Sequence, residues 1–339
     1  MGSTSTELIL TCGEKRTDIL KEQAVQCRHC SQPAKIHLPY TKLDLCANHF
    51  THLLEKRVKY TVRKYKLIQA KEKIVIGVSG GKDSMTTLHI LGKYYSKSNP
   101  IEALMIDEGI HGYRDSAVQV GINMCKQLDI PYKVVRYQDE FDLSMDKIAN
   151  LIEKNPDLGT TCSFCGVMRR QLLNKYSREM GADKLATGHN LDDEVQSVLM
   201  NITQNSYDSF IRTGATTGIK SFQGFIPRIK PLYEIPEKEI IAYTAFNNIE
   251  HYSHDCCPHS WQAKRNDFRK ILNDLETKYP GTKYGTLNFF NAVKDKLRTI
   301  EVDKIKTLDM EYCKECGEPS AKAKCKACEK IEILKKQPI

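Results

Sequence analysis

The sequence contains no apolar run long enough to span a bilayer, and its first residues lack the apolar core of a secretory signal. These absences argue against a membrane protein and against a secreted chain held together by disulfides. The Walker A pattern is also absent, which excludes an ordinary P-loop nucleotide site. The sequence therefore predicts a cytoplasmic protein without a membrane partner.

The length and the positive net charge of the chain indicate its domain content and its kind of partner. Its 339 residues, of which 40% are hydrophobic, suffice for one large α/β domain and small accessory modules. A formal net charge of +9 indicates an anionic partner such as nucleic acid. A basic stretch over residues 55–73 has helical spacing, and it is either a solvated helix face or a contact to a nucleic-acid backbone.

A glycine turn is the most informative local feature. Residues 74–78 are apolar and predict a buried strand, and residues 83–95 have the spacing of a helix. Backbone N–H groups in such a strand–turn–helix unit bind phosphate oxygens, and the helix dipole adds positive potential. The pattern S-G-G-x-D-S is typical of enzymes that cleave ATP to AMP and pyrophosphate. The turn comprises Ser79, Gly80, Gly81, Lys82, Asp83 and Ser84.

Strand and helix patterns then alternate as far as residue 228. Further strands are predicted over residues 103–107, 132–137 and 184–187, with helices between them. This alternation predicts an α/β fold with a doubly wound parallel sheet. Ligands of such sheets lie beyond the carboxyl ends of the strands at the topological switch point.

A second loop follows the strand predicted over residues 184–187. Gly188 permits a close backbone approach to a nucleotide. Asp192, Asp193 and Glu194 cluster at a helix N-terminus, where carboxylates cap the helix or hold magnesium beside ATP.

Cysteines are abundant, and ten of the thirteen form five close pairs. Near the start the spacing is C-x2-C-x15-C-x2-H, and near the end it is C-x2-C-x8-C-x2-C. Two such knuckles complete a tetrahedral zinc site, so each module predicts one structural Zn²⁺. The ligands are Cys27, Cys30, Cys46 and His49 in the first module, and Cys313, Cys316, Cys325 and Cys328 in the second.

A third pair, Cys162 and Cys165, has no matching pair in its own segment, while Cys256 and Cys257 are adjacent far downstream. Three cysteines from separated segments leave one position of a metal or iron–sulfur cluster open. The alternatives are a dithiol that cycles through a disulfide and carries a persulfide, or buried inert cysteines.

These motifs together resemble the tRNA 2-thiouridine synthetases that carry two zinc modules, over roughly residues 27–328. The resemblance implies an adenine-nucleotide α-hydrolase-like fold with a pyrophosphate loop. Residues 107–115, 162–171 and 226–231 look like the subgroup that thiolates the wobble uridine at position 34. The alternative subgroup thiolates uridine 54 in the T loop.

The resemblance also implies roles for particular residues. The glycine turn and Asp83 would hold ATP phosphates and Mg²⁺, Ile106 would bind adenine through its backbone, and Gly188 and Asp193 would line the nucleotide. Cys162, Cys165 and a third cysteine would hold a [4Fe-4S] cluster with one open iron. The residues around Cys257 match better than those around Cys256, so Cys257 is the predicted third ligand and Cys256 the alternate. Arg169 stands where some relatives carry Lys; because Arg does not release a proton, a charge-stabilising role is favoured.

The hypothesis is therefore an ATP-dependent tRNA sulfurtransferase. It would adenylate the uridine C2 oxygen and deliver sulfur from the cluster, or from a persulfide in a cluster-free version. A ubiquitin-like carrier with a C-terminal thiocarboxylate, or free sulfide, would donate the sulfur. The chain would work as a homodimer or beside a related subunit.

The sequence divides into seven predicted regions: a flexible tail (1–26), a zinc module (27–54), a basic helix linker (55–72), an ATP-pyrophosphatase domain (73–235), a helical extension with the third cluster cysteine (236–308), a zinc ribbon (309–330) and a tail (331–339).

Overall fold

The computed structural model describes residues 25–217, 224–253, 257–259, 264–297 and 310–337, and the backbone alone of residues 9–10, 14–15 and 298–300. Strands β1 (Ile9–Leu10) and β2 (Glu14–Lys15) pair antiparallel. No helix within the described ranges is both long and apolar enough to cross a membrane.

The N-terminal module is a short hairpin followed by a helix. Strands β3 (Ile36–Leu38) and β4 (Leu43–Leu45) pair antiparallel, and α1 (Ala47–Lys64) begins directly after them. The predicted boundary between the zinc module and the basic linker, between residues 54 and 55, falls inside this helix. The helix starts early because Cys46 is its N-cap and His49 lies in its first turn, so these two predicted metal ligands and the first part of the basic stretch belong to one element.

Five parallel strands form the central sheet, which confirms the predicted doubly wound α/β fold. They are β5 (Ile74–Gly77), β6 (Ile101–Asp107), β7 (Tyr132–Arg136), β8 (Lys184–Ala186) and β9 (Arg228–Ile229). Their order is β7-β6-β5-β8-β9, so the chain leaves β5 toward one side and later returns on the other. The switch point thus lies between the carboxyl ends of β5 and β8.

Helices connect the strands of the sheet and continue the chain after β9. They are α2 (Lys82–Tyr95), α3 (Arg114–Gln127), α4 (Tyr137–Phe141), α5 (Met145–Lys154), α6 (Thr161–Glu179), α7 (Leu191–Thr203), α8 (Tyr207–Arg212), α9 (Glu237–Phe246), α10 (Arg265–Lys278) and α11 (Thr282–Ile300). Three consecutive residues of β5, Ile74, Val75 and Ile76, are buried, as expected for a strand that is covered on both faces. The break between α10 and α11 occurs at the predicted Pro280-Gly281.

The C-terminal module contains β10 (Glu311–Tyr312), β11 (Pro319–Ser320) and α12 (Lys326–Lys335). The sequence predicted a tail from residue 331, but α12 continues to Lys335. The reason is that Leu334 is buried, in the same apolar cluster as Leu172 of α6. The predicted flexible tail before residue 25 lies outside the described residues, apart from the backbone of β1 and β2.

Candidate active site

The glycine turn lies between β5 and α2, at the switch point. Gly80 has φ +82°, and a Cβ there would lie 2.1 Å from the carbonyl oxygen of Ala117 on α3. The Ser79 hydroxyl and Ser84 Oγ are 3.1 Å apart, and Ser84 Oγ donates to the Gly81 carbonyl at 2.9 Å. Gly81 is the N-cap residue of α2 and, as a glycine, has no side chain to cap the helix. The turn is therefore rigid, and it leaves the helix N-terminus available to an anion.

Carboxylates surround the start of α2. Lys82 Nζ lies 2.8 Å from Glu237 Oε1 and 3.1 Å from Asp83 Oδ2. Burial raises the pKa of Asp83, and the charges of Glu237 and Asp193 raise it further, against the effect of Lys82. Burial likewise raises the pKa of Asp193. A bound cation would stabilise the ionised forms of Asp83 and Asp193. These two carboxylates therefore fit a magnesium site beside ATP phosphates.

The loop after β8 packs directly on this turn. A Cβ on Gly188 would lie 2.7 Å from the backbone of Asp83 and Ser84. The backbone of α2 thus fills the space that a side chain at this position would need. Asn190 Nδ2 donates to Asp83 Oδ1 at 3.0 Å, and the Asn190 side chain forms a capping box with Asp193. The nucleotide contacts of Gly188 and Asp193 remain predictions.

A buried arginine joins β6 to the glycine turn. Arg114 Nε donates to the carbonyl of Ile106 at 2.8 Å, and its Nη1 donates to the carbonyl of Ser79 at 2.7 Å. The carbonyl of Ile106 is thus already bonded, so the predicted adenine contact would need another group of the Ile106 backbone.

Cys162 and Cys165 lie in the first two turns of α6, which begins at Thr161. Their spacing places both thiols on one side of the helix. Cys162 Sγ donates to the carbonyl of His259 at 3.7 Å, and His259 Nε2 is 2.9 Å from Asp146 Oδ1. The segment that carries the third predicted cysteine therefore lies against the start of α6.

Cys257 lies in the same neighbourhood as the pair. Burial raises the pKa of the Cys257 thiol, and the charges of Cys165 and Cys162 raise it further. Among the described residues, the sets whose ligand atoms all lie within 4.8 Å of one another are the two terminal ones, and this trio is not among them. Wider separation suits cysteines that each bind a different iron of a cluster. The alternate ligand, Cys256, lies outside the described residues.

The same segment also contacts the glycine turn. The Tyr252 N–H donates to the carbonyl of Gly80 at 2.8 Å, and the Tyr252 ring packs edge-on against Tyr113 with 5.2 Å between centroids. Described residues on either side of Cys257 therefore contact the glycine turn and the start of α6.

Arg169 contacts Cys165 directly. Its Nη2 lies 2.9 Å from Cys165 Sγ, and its Nε lies 2.7 Å from Glu108 Oε1. The charge of Glu108 holds the pKa of Arg169 above its ordinary value. The other oxygen of Glu108 lies 2.6 Å from Arg114 Nε. Sequence reasoning missed Glu108 and Arg114 as site residues, because no spacing rule pairs charges across strands and helices.

We expect Glu108→Ala to lower the free energy of unfolding by about 3 kcal/mol, because it leaves buried Arg114 without its carboxylate. Chemical denaturation measures the loss, and Glu153→Ala on the exposed face of α5 is the matched control. An equal, small effect of both substitutions would contradict the role given to Glu108.

The two terminal sets of ligands converge as predicted. Four ligand atoms lie within 4.8 Å of one another in each set. The sulfurs of Cys30 and Cys46 are 3.8 Å apart, and those of Cys316 and Cys325 are 3.6 Å apart. Tetrahedral Zn–S bonds of about 2.3 Å require roughly 3.8 Å between sulfurs, so both sets fit Zn²⁺.

The C-terminal set rests on α6, the helix that carries Cys162 and Cys165. Gln171 Nε2 donates to Cys316 Sγ at 3.2 Å, and Asn174 Nδ2 donates to Glu318 Oε2 at 3.0 Å. Arg178 forms an ion pair with the same carboxylate of Glu318. The module therefore supports the helix that positions the cysteine pair.

We expect Cys316→Ser to lower the zinc content by half and to expose residues 310–337 to proteolysis, because a structural zinc supplies folding free energy. Metal analysis and limited proteolysis measure both effects. Lys314→Ala, an exposed change in the same knuckle, should behave as wild type. Full zinc content in the serine variant would contradict the assignment of this set.

The strand order, the glycine turn at the switch point and the carboxylates around it define an ATP-binding protein of the PP-loop class. Consistent with this, a family model described as a PP-loop domain matches residues 46–276. Similar proteins then narrow the class. The tRNA 2-thiolation protein NcsA of Haloferax volcanii is 36% identical over 324 residues, which cover 91% of this chain and 99% of that protein.

The tRNA-5-methyluridine(54) 2-sulfurtransferase of Pyrococcus horikoshii is 35% identical over 314 residues, covering 92% of this chain and 95% of that protein. The solved U34-tRNA thiolase NcsA of Methanococcus maripaludis, with its [4Fe-4S] cluster, superposes with a TM-score of 0.76 at 30% identity, covering 91% of this chain and 96% of that one. The chain belongs to the tRNA 2-thiolation proteins of the PP-loop family, which confirms the predicted family.

Proposed function

We propose that this protein uses ATP to replace the C2 oxygen of a tRNA uridine by sulfur, and that this uridine is the wobble base at position 34. One observation carries the proposal. The segment around Cys257 bonds to the glycine turn through Tyr252 and to the cysteine pair through His259. The activated oxygen and the incoming sulfur must meet at one base, and this segment joins the two places where they would be held.

ATP supplies the activation. The C2 carbonyl of uridine is a poor electrophile, and adenylation makes its oxygen leave with AMP. The N-terminus of α2 and the Gly80-Gly81 turn hold the phosphates. Asp83 and Asp193 would hold Mg²⁺, and the ion would supply positive charge to neutralise the departing pyrophosphate.

The three cysteines supply the sulfur side. They fit a [4Fe-4S] cluster, and such a cluster, when bound by Cys162, Cys165 and Cys257, supplies an open iron for sulfide. Arg169 stabilises negative charge at Cys165 and holds that side chain in place through its contact at 2.9 Å. Glu108 in turn fixes Arg169. A cluster-free enzyme would instead use the same thiols as a dithiol and persulfide.

The remaining modules bind the tRNA. Structural Zn²⁺ in each terminal set holds its knuckles, and α1 presents Lys56, Lys59 and Arg63 to phosphates. A target base stacked within its loop leaves the stack to reach the site. The sulfur donor is a ubiquitin-like thiocarboxylate carrier or free sulfide. The protein acts in the cytoplasm as a homodimer or beside a related subunit.

Support for position 34 comes from residues 107–115, 162–171 and 226–231, which look like the wobble subgroup. The M. maripaludis protein named for U34 also covers nearly the whole chain. Position 54 is the second candidate, because the P. horikoshii protein named for that position is almost as similar as the H. volcanii one.

Mass spectrometry of tRNA fragments from a strain that lacks this gene tests the proposal. We expect 2-thiouridine to disappear at position 34 and thiolation at position 54 to persist. The wild-type gene should restore the modification, and Asp83→Ala should not. Loss at position 54 alone would assign the T loop instead, and retention at both positions would refute the function.

A further inference from the structure

Two arginines, one close to the cysteine pair and one on β9, have no acidic partner among the described residues. Arg170 lies on α6, five positions after Cys165, and Arg228 opens β9. Arg228 Nη2 donates to the backbone carbonyl of Arg170 at 3.3 Å. Within the described residues, neither guanidinium forms an ion pair.

Neighbouring cations differ in this respect. Lys230 pairs with Glu194, Arg265 with Asp193 and Arg169 with Glu108. The uncompensated positive charge at this edge of the site is therefore carried by Arg170 and Arg228. Folding has placed the Arg228 guanidinium against the backbone of Arg170, and the repulsion between the two positive charges costs free energy unless an anion joins them.

The electrostatics agree with the geometry. Burial and the charge of Arg170 lower the pKa of Arg228 to about 10, and burial and the charge of Arg169 lower that of Arg170. Both groups stay protonated at neutral pH. Burial and the surrounding cations, Arg228 among them, lower the pKa of His189 to about 3, so this histidine is neutral and adds no charge.

We propose that Arg170 and Arg228 form a binding site for a tRNA phosphate next to the target uridine. This inference rests on the proposed function. A guanidinium offers paired N–H donors that match phosphate oxygens.

The position of β9 separates this site from the phosphates of ATP. In the sheet β9 is separated from β5 by β8, so it lies about 10 Å from the strand that leads into the glycine turn. A phosphate held there lies beside the place where base, adenylate and sulfur must meet. The pair would fix the backbone of the RNA while the base itself enters the site.

Binding measurements at several salt concentrations test the proposal. We expect Arg170→Gln and Arg228→Gln each to weaken tRNA binding about tenfold at low salt, and to reduce the slope of log K against log salt by roughly one. ATP affinity should stay within about twofold of wild type. Arg170→Lys and Arg228→Lys, which keep the charge, should retain most of the slope.

Arg212→Gln, an exposed arginine on α8, is the matched change in charge and should leave the slope unchanged. The Gln variants should melt at or slightly above the wild-type temperature, because neither arginine forms an ion pair with a described residue and each substitution removes one of two repelling charges. Weaker ATP binding with an unchanged tRNA slope would assign the pair to the nucleotide and overturn the proposal. If wild-type protein thiolates tRNA but the slopes do not change, this inference fails and the proposed function stands; absence of thiolation by wild type would defeat the function itself.

Discussion

Cys162→Ala should abolish thiolation of tRNA, with a rate loss of more than about a thousandfold, because catalytic groups that act as a unit fail together. The fold should survive. Cys162 is exposed, and its one described hydrogen bond is a 3.7 Å donation to the His259 carbonyl. Its loss should cost less than about 1 kcal/mol of stability. Thiouridine formation by mass spectrometry and thermal melting measure the two effects.

Cys125→Ala is the matched control for this experiment. Cys125 is fully buried on α3, and burial raises the pKa of its thiol to about 11, so it should be inert. Its removal should cost stability and leave thiolation intact. Normal 2-thiouridine in cells that carry only the Cys162 variant would show that the cysteine pair does not deliver sulfur.

Gly80→Ala should abolish the ATP-dependent half of the reaction. The added methyl group would lie 2.1 Å from the Ala117 carbonyl oxygen, and this atom is backbone and cannot move aside. The turn must therefore open, which displaces the N–H groups that bind phosphates and breaks the bond from Tyr252. We expect ATP binding to fall at least a hundredfold, which corresponds to about 2.8 kcal/mol of binding free energy.

Gly181→Ala is the control that separates the strain of a positive φ from the steric clash with Ala117. Gly181 has φ +70°, similar to Gly80, but a Cβ there meets nothing within 4 Å. It should lose a little stability and bind ATP normally, as isothermal calorimetry can measure. Equal ATP affinity in both alanine variants would mean that the turn does not hold the nucleotide.

Periodicity and spacing predicted much of this molecule. Alternating apolar and helical segments predicted the parallel sheet, and the position of the glycine turn after β5 follows from it. The two ligand sets converge as predicted because short cysteine pairs are local constraints. By contrast, β9 was missed, since two residues show no periodicity and pair only because Leu185 and Ala186 of β8 lie beside them.

Contacts across the fold were beyond the reach of the sequence. The chain of charges from Arg114 through Glu108 to Arg169 joins the start of α3, the residue after β6 and helix α6, and Arg169 is about sixty residues from the other two. The contact of Gly188 with the backbone of α2 also depends on the fold and could not be predicted. The proximity of Arg170 and Arg228 likewise could not be predicted, because it depends on the contact between β9 and α6.

The most direct test is an anaerobic reaction of the iron-loaded protein with ATP, sulfide and tRNA, in which pyrophosphate and 2-thiouridine are counted together. Because one uridine oxygen is activated for each sulfur that enters, the two products should appear in equal amounts, and neither should form without tRNA. Thiouridine that forms without pyrophosphate, or full turnover by protein without Cys162, Cys165 and Cys257, would contradict a single site shared by ATP and the three cysteines.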